Sequence, residues 1–186
     1  MTAEGYPDAI IGVFDSVMVR FLTRLEGLDD AELLWEPAAG CWTVRQDASG
    51  HWVADGDPEG LLEVAPVTTI AWRMNHLACH VLGGFATWLR DGGMPFDGDP
   101  EVPHTASGAR TAVERNWHRW REGMARLDAA AWTRPIGEAF GEHATASTAD
   151  LVLHVLDERV HHAAEVSLLR DLYAARPLLD GTAPTR

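Results

Sequence analysis

Apolar residues return at steps of three and four along four stretches of the chain. Over about residues 8–27, Ile10, Phe14, Val17, Phe21 and Leu25 mark one side of a helix, widened by Ile11, Met18 and Leu22. Over about 69–91 the stripe is Ile70, Met74, Leu77, Val81, Phe85 and Trp88, with Thr68 or Thr69 as cap and Gly92, Gly93 and Pro95 as stop. Over about 106–127 it is Val113, Trp117, Trp120, Met124 and Leu127. The fourth stretch, about 148–175, opens on a Ser147/Asp150 capping pair and is expected to end before Pro177.

The connections predict smaller features. Asp29 and Glu32 open a short capped turn, LDDAELLWEP, and LDAAAWTRP echoes it after the third helix. Residues 36–67 are rich in Gly, Pro, Asp and Ala, and within them Cys41–Arg45 and His51–Ala54 flank a QDASG turn as a small β-hairpin. Residues 92–104 form a second acidic loop. The fold class is therefore all-α: one four-helix bundle domain over residues 1–176, with 177–186 as a flexible tail.

Composition narrows the function classes. The chain has 186 residues and a formal net charge of −13, which argues against nucleic acid or an anionic membrane as partner. No apolar run is long enough to span a bilayer, and the acidic N-terminus lacks the basic start of a signal peptide, so a cytoplasmic location is expected. Cys41 and Cys79 form no CxxC and read as reduced, structural thiols. All 15 basic residues are Arg, a bias that points to a GC-rich genome.

The fourth helix carries the candidate chemistry. Leu151, Val155, Glu158, His162, Glu165, Leu169 and Leu172 fall on one line, so three polar residues interrupt an apolar stripe. Burying an unpaired carboxylate costs several kcal/mol or neutralises it. A divalent metal would compensate, and Glu158 with His162 at i, i+4 can reach one ion. The competing reading is a solvated pair at the edge of a face made by Leu153, Leu156, Val160, Ala163 and Ala164. On the second helix His76 and His80 sit one turn apart, and Gly83, Gly84 and Thr87 keep that face low in bulk. His76 with Glu158 and His162 would form a His2Glu set with an open position, the pattern of catalytic zinc sites.

The remaining aromatic side chains read more simply. His104, His118 and His143 show no evident partner, and His154 and His161 lie beside the candidate ligands or face solvent. Trp72, Trp88, Trp117 and Trp120 read as core, whereas Trp42 and Trp52 could line a pocket at one end of the bundle.

The runs TTIAWRMNHLACHVLGG and LVLHVLDERVHHAAEVSLLRDLY resemble the DinB-like superfamily. The resemblance implies an up-down-down-up four-helix bundle with a metal between helices. Its first ligand, a His after a Trp-x-x-x pattern, corresponds to His76 after Trp72. The HxxxH common on the last helix is here Glu158 and His162, as in the ExxxH of the mycothiol-dependent maleylpyruvate isomerase branch. That isomerase has a second domain, and with this chain ending at Arg186 its particular isomerisation is not expected. The function implied is a metal- and thiol-dependent transferase or isomerase acting on a small electrophile. The metal is expected to be Zn2+, with Ni2+ also suited to the donor set. The GC-rich bias suggests an actinobacterial source and mycothiol as the thiol. His80 and Glu165 are the candidate catalytic residues, His80 for proton transfer or as a substitute ligand and Glu165 for orientation. A homodimer is part of the family habit. The alternatives are a non-catalytic, stress-linked metal-binding bundle and a metal-dependent hydrolase using bound water.

Overall fold

The computed structural model describes residues 6–57, 59–64, 66–92 and 101–179. Helix α1 spans Tyr6–Arg24, and the short α2, Asp30–Leu33, follows. Strands β1, Val44–Gln46, and β2, Trp52–Ala54, pair antiparallel with Val44 opposite Ala54. The second rod has three parts: α3, Ile70–Asn75, a π-helical segment, His76–Gly84, and α4, Phe85–Asp91. Then come α5, Ala106–Ala125, α6, Ala129–Thr133, a 3-10 turn at Glu138–His143, and the long α7, Thr148–Leu179.

The caps follow from side-chain oxygens that accept the first free backbone N–H groups. Asp29 accepts from Glu32 N at 2.8 Å, Thr69 from Trp72 N at 3.2 Å, and Asp128 from Ala131 N at 2.8 Å. Ser147 and Asp150 form the reciprocal pair that opens α7. Gly92 closes α4 with φ +65°, a left-handed conformation that needs no Cβ. Gly93 and Pro95, expected to share that role, lie outside the described residues, as do most of the 92–104 loop and the tail beyond Leu179.

Contacts between rods fix their directions. Phe14 and Asp15 of α1 meet Trp117 and Arg121 of α5, while Leu22 meets Arg110, so α5 runs against α1. Met18 meets Arg159 and Arg24 meets Ser167, so α7 runs with α1. Arg73 faces Glu165 and Phe85 faces His154, so the second rod runs against α7. The order is up-down-down-up. The core between the rods holds Phe14, Phe21, Met74, Leu77, Leu82, Val113, Trp120 and Val155, all nearly or fully buried.

Two expectations change. Helix α7 does not stop before Pro177 but carries it to Leu179. Proline withholds the N–H that would reach the Tyr173 carbonyl. The Arg176 guanidinium donates to that carbonyl instead at 2.7 Å, while packing over the Tyr173 ring. The low-bulk face at Gly83 is also used differently. A Cβ there would meet the Ala78 carbonyl at 3.0 Å and Asn116 of α5 at 3.2 Å, so the close approach is to α5. Asn116 donates to the Ala78 carbonyl at 3.0 Å, and Arg119 ties Asn116 to Thr87, bracing the π-helical segment from α5.

Candidate metal centre

The phase of α7 decides what reaches the second rod. Leu151, Val155, His162 and Leu169 are buried and Glu158 and Glu165 half-buried, whereas Leu153, Val160 and Ala164 are exposed. The interrupted stripe is therefore the inward face. His76 stands at the first position of the π-helical segment, a geometry often found at functional sites.

These elements bring three donors together. Glu158 Oε2 lies 3.3 Å from His76 Nε2 and 3.0 Å from His162 Nε2. One ligand atom from each residue falls within 4.8 Å of the others. The two imidazoles meet edge-on, with ring centroids 4.8 Å apart at 89°. His162 is nearly buried, but the His76 and Glu158 side chains keep 30% and 29% of their exposure, so the cluster opens to solvent on their side.

A second layer fixes the donors. Glu165 Oε2 lies 2.6 Å from His162 Nδ1, and because a carboxylate only accepts, a proton on Nδ1 leaves the Nε2 lone pair facing the Glu158 oxygen. Two acceptors at that separation repel unless a cation or a proton stands between them. The donor set thus fits a divalent ion that takes imidazole nitrogen and carboxylate oxygen. Arg73 Nε pairs with Glu165 at 3.0 Å, and His161 touches its other oxygen at 3.1 Å. The Trp72 ring stacks on His76 at 5.4 Å and 8°, and Trp42 packs behind it. Trp72 Nε1 donates to the Asp55 carbonyl at 2.7 Å, so this half-buried ring links the hairpin region to the site rather than serving as core.

The charges are set for cation binding. Burial and the neighbouring His162 hold the His76 pKa below 6.5, against the pull of Glu158. Burial alone would raise the Glu158 carboxyl, but the His76 hydrogen bond and nearby imidazole charges bring it below its usual value. Glu165 is likewise lowered, with His162 and Arg73 outweighing its burial. Metal ligands must be deprotonated, and these shifts favour that form.

Other sequence-predicted residues fall less centrally. His80 is exposed, its ring 5.9 Å from that of His76, and it is not one of the three converging donors. His154 is exposed and meets Phe85. His104 does have a partner: its ring stacks on Trp52 at 4.3 Å and 1°. Arg73 is the functional candidate that sequence reasoning missed, although it stands inside the WRMNH run between Trp72 and His76.

Among the described residues no helix is long and apolar enough to cross a membrane. A family model described as the DinB superfamily matches residues 14–166. No curated protein and no solved structure matches the chain.

Proposed function

The chain belongs to the DinB superfamily, and from that premise and the His–Glu–His cluster we propose a zinc-dependent transferase that joins a low-molecular-weight thiol to a small electrophile. The carrying observation is three donors from two rods with one side open to solvent. Such a set leaves room for a non-protein ligand beside the protein's own three. When bound, zinc supplies positive charge that lowers the pKa of a thiol at that open position.

The chain's own residues prepare the rest. His76, Glu158 and His162 hold the cation. Glu165 fixes the His162 ring and its tautomer, and Arg73 fixes Glu165. Trp72 limits rotation of His76 by stacking. His80, exposed beside His76, is placed to accept the thiol proton. The sulfur then bonds to the electrophilic carbon as the leaving group departs with its electron pair. Mycothiol is the thiol favoured by the GC-rich sequence bias, and isomerisation would follow if the adduct collapses back with a changed carbon geometry.

The test is thiol consumption by zinc-loaded protein with 1-chloro-2,4-dinitrobenzene, comparing mycothiol, bacillithiol and glutathione. Turnover above background with one thiol, absent in His162→Ala, is the expected result. Background rates with every thiol overturn the transferase reading, and ester cleavage without thiol would assign the site to hydrolysis.

A further inference from the structure

One helical turn from Glu158, the groove between the second rod and α7 ends in a cavity. Its volume is about 330 Å3, and Phe85, Ile136, Phe140, Ala146, Leu151 and His154 line it. The floor comes from α4 and α7. The outer wall comes from the segment before α7, held by Ile136 N to Ala146 O at 2.9 Å and Gly137 N to Ala144 O at 2.9 Å. The Phe85 and Phe140 rings are near-parallel at 6.1 Å and 19°. Trp88 stands edge-on to Phe140 at 5.4 Å, and His154 edge-on to Phe85 at 6.1 Å. The Asp150 carboxylate at the rim is already engaged by Ser147.

Size and position define an occupant. An engineered void of about 150 Å3 accepts benzene, and small-molecule pockets begin near 300 Å3, so this volume suits one ring with a short arm. The antiparallel pairing puts Arg73 opposite Glu165, His76 opposite Glu158 and His162, and Phe85 opposite His154. His80 lies between His76 and Phe85 in that sequence. His154 lines the cavity and stands four residues, one helical turn, before Glu158 on the same helix.

We propose that this cavity seats the aromatic ring of the electrophile, with the reactive arm passing His154 toward Glu158 and the open side of the cluster. The inference rests on the transferase reading for the site of reaction. Ring selection itself comes from the aromatic walls, whose faces and edges favour an aromatic guest over a saturated one of the same shape.

The experiment uses benzyl alcohol and cyclohexylmethanol as probes, without any thiol. Methyl signals of Ile136 and Leu151 are followed by NMR in metal-free, zinc-loaded and cobalt-loaded protein. Benzyl alcohol is expected to saturate, about two- to tenfold tighter than its saturated counterpart. Ala146→Phe should fill the cavity and weaken binding by at least about tenfold. Phe140→Leu, which removes a wall without adding bulk, should weaken it too and guards against misfolding of the first variant. In cobalt-loaded protein the probe's methylene protons should relax faster than its ring protons. Shifts that never saturate, equal affinity for the two probes, or binding unchanged in both variants overturn the aromatic seat. Ring protons relaxing faster than the methylene overturn the orientation. Cobalt that fails to bind would instead count against the metal reading, and the metal-free titration still decides the seat.

Discussion

Glu158 and Arg159 are neighbours on α7, yet they solve the problem of charge inside a bundle in opposite ways. Glu158 faces the second rod, where His76 and His162 contact one of its oxygens and solvent reaches its side. Arg159 faces α1 and α5 with no exposure at all. Its guanidinium touches the Met18 sulfur and lies 5.8 Å from the Phe21 ring and 5.2 Å from the Trp117 ring. Its Nε and Nη1 have no hydrogen-bond partner among the described residues. Burial pushes its pKa down to about 10, so it still carries its proton at neutral pH. Helix α7 thus offers converging donors on one side and a cation resting on π-faces on the other. The lesson is that a charged side chain in this core is not by itself a sign of chemistry. Convergence of complementary groups with an open side is.

The sharpest way to break the contrast is to remove a donor. His162→Ala and Glu158→Ala should abolish stoichiometric zinc after reconstitution, measured by metal analysis, while Arg159→Met leaves it intact. Retention of one equivalent by both donor variants would dissolve the distinction. Acid should act next most strongly. His76 and Glu158 are both shifted downward, which moves their part of the competition between protons and zinc to lower pH; affinity should fall as the pH drops, by about tenfold per pH unit for each proton taken up. A competition titration with a zinc chelator across pH reads this directly. An affinity that does not fall with acid would contradict zinc binding through these three donors.

Smaller effects test the supporting residues. Glu165→Gln and Arg73→Met should each weaken zinc by about 10–100-fold, because His162 loses its anchor. Unchanged affinity in both would reduce these contacts to surface pairing. On the opposite side, Arg159→Met removes an unpaired buried charge and should stabilise the fold by about 1–3 kcal/mol, raising Tm. A lower Tm would show that the aromatic and sulfur contacts outweigh the desolvation. Arg176→Ala frees the Tyr173 carbonyl beside Pro177 and should cost about 0.5–1 kcal/mol, seen as lost protection from hydrogen exchange in the last turn of α7.

Much of this arrangement was legible before any coordinates. The period of α7 placed Glu158, His162 and Glu165 on one line between apolar residues, but left a rival face through Leu153 and Val160 that only the folded chain shows to be exposed. Asp29, the Thr68–Thr69 pair and the Ser147/Asp150 pair announced helix starts through chemistry local to three or four residues. The hairpin followed from its turn residues. What stayed hidden depends on distant partners. Arg73 reads as a solvated cation until α7 supplies Glu165. Arg159 reads the same way in DERVHH, because nothing nearby in sequence shows that Phe21 and Trp117 will close over it. The pairing of Trp52 with His104 joins strand β2 to a loop far along the chain. Pro177 suggested a stop because the substitute donor, Arg176, is recognisable only once its side chain has folded back.

The π-helical segment has a consequence for how this chain can vary. It stores a surplus residue inside a rod that otherwise keeps one rhythm, and Asn116 braces the loosened carbonyl. Trp72 and His76 lie at or before its start and Phe85 and Trp88 beyond its end, and both His76 and Phe85 face α7 across it. Deleting one residue inside the segment would let the rod rewind as plain α-helix with both groups near their present phases, whereas deleting one from the regular turns of α3 or α4 would swing whatever lies beyond it by about 100°. The π-helical stretch is thus a place where this chain can lose a residue and still keep both its nitrogen and oxygen donors and the Phe85 wall of the aromatic chamber turned toward α7.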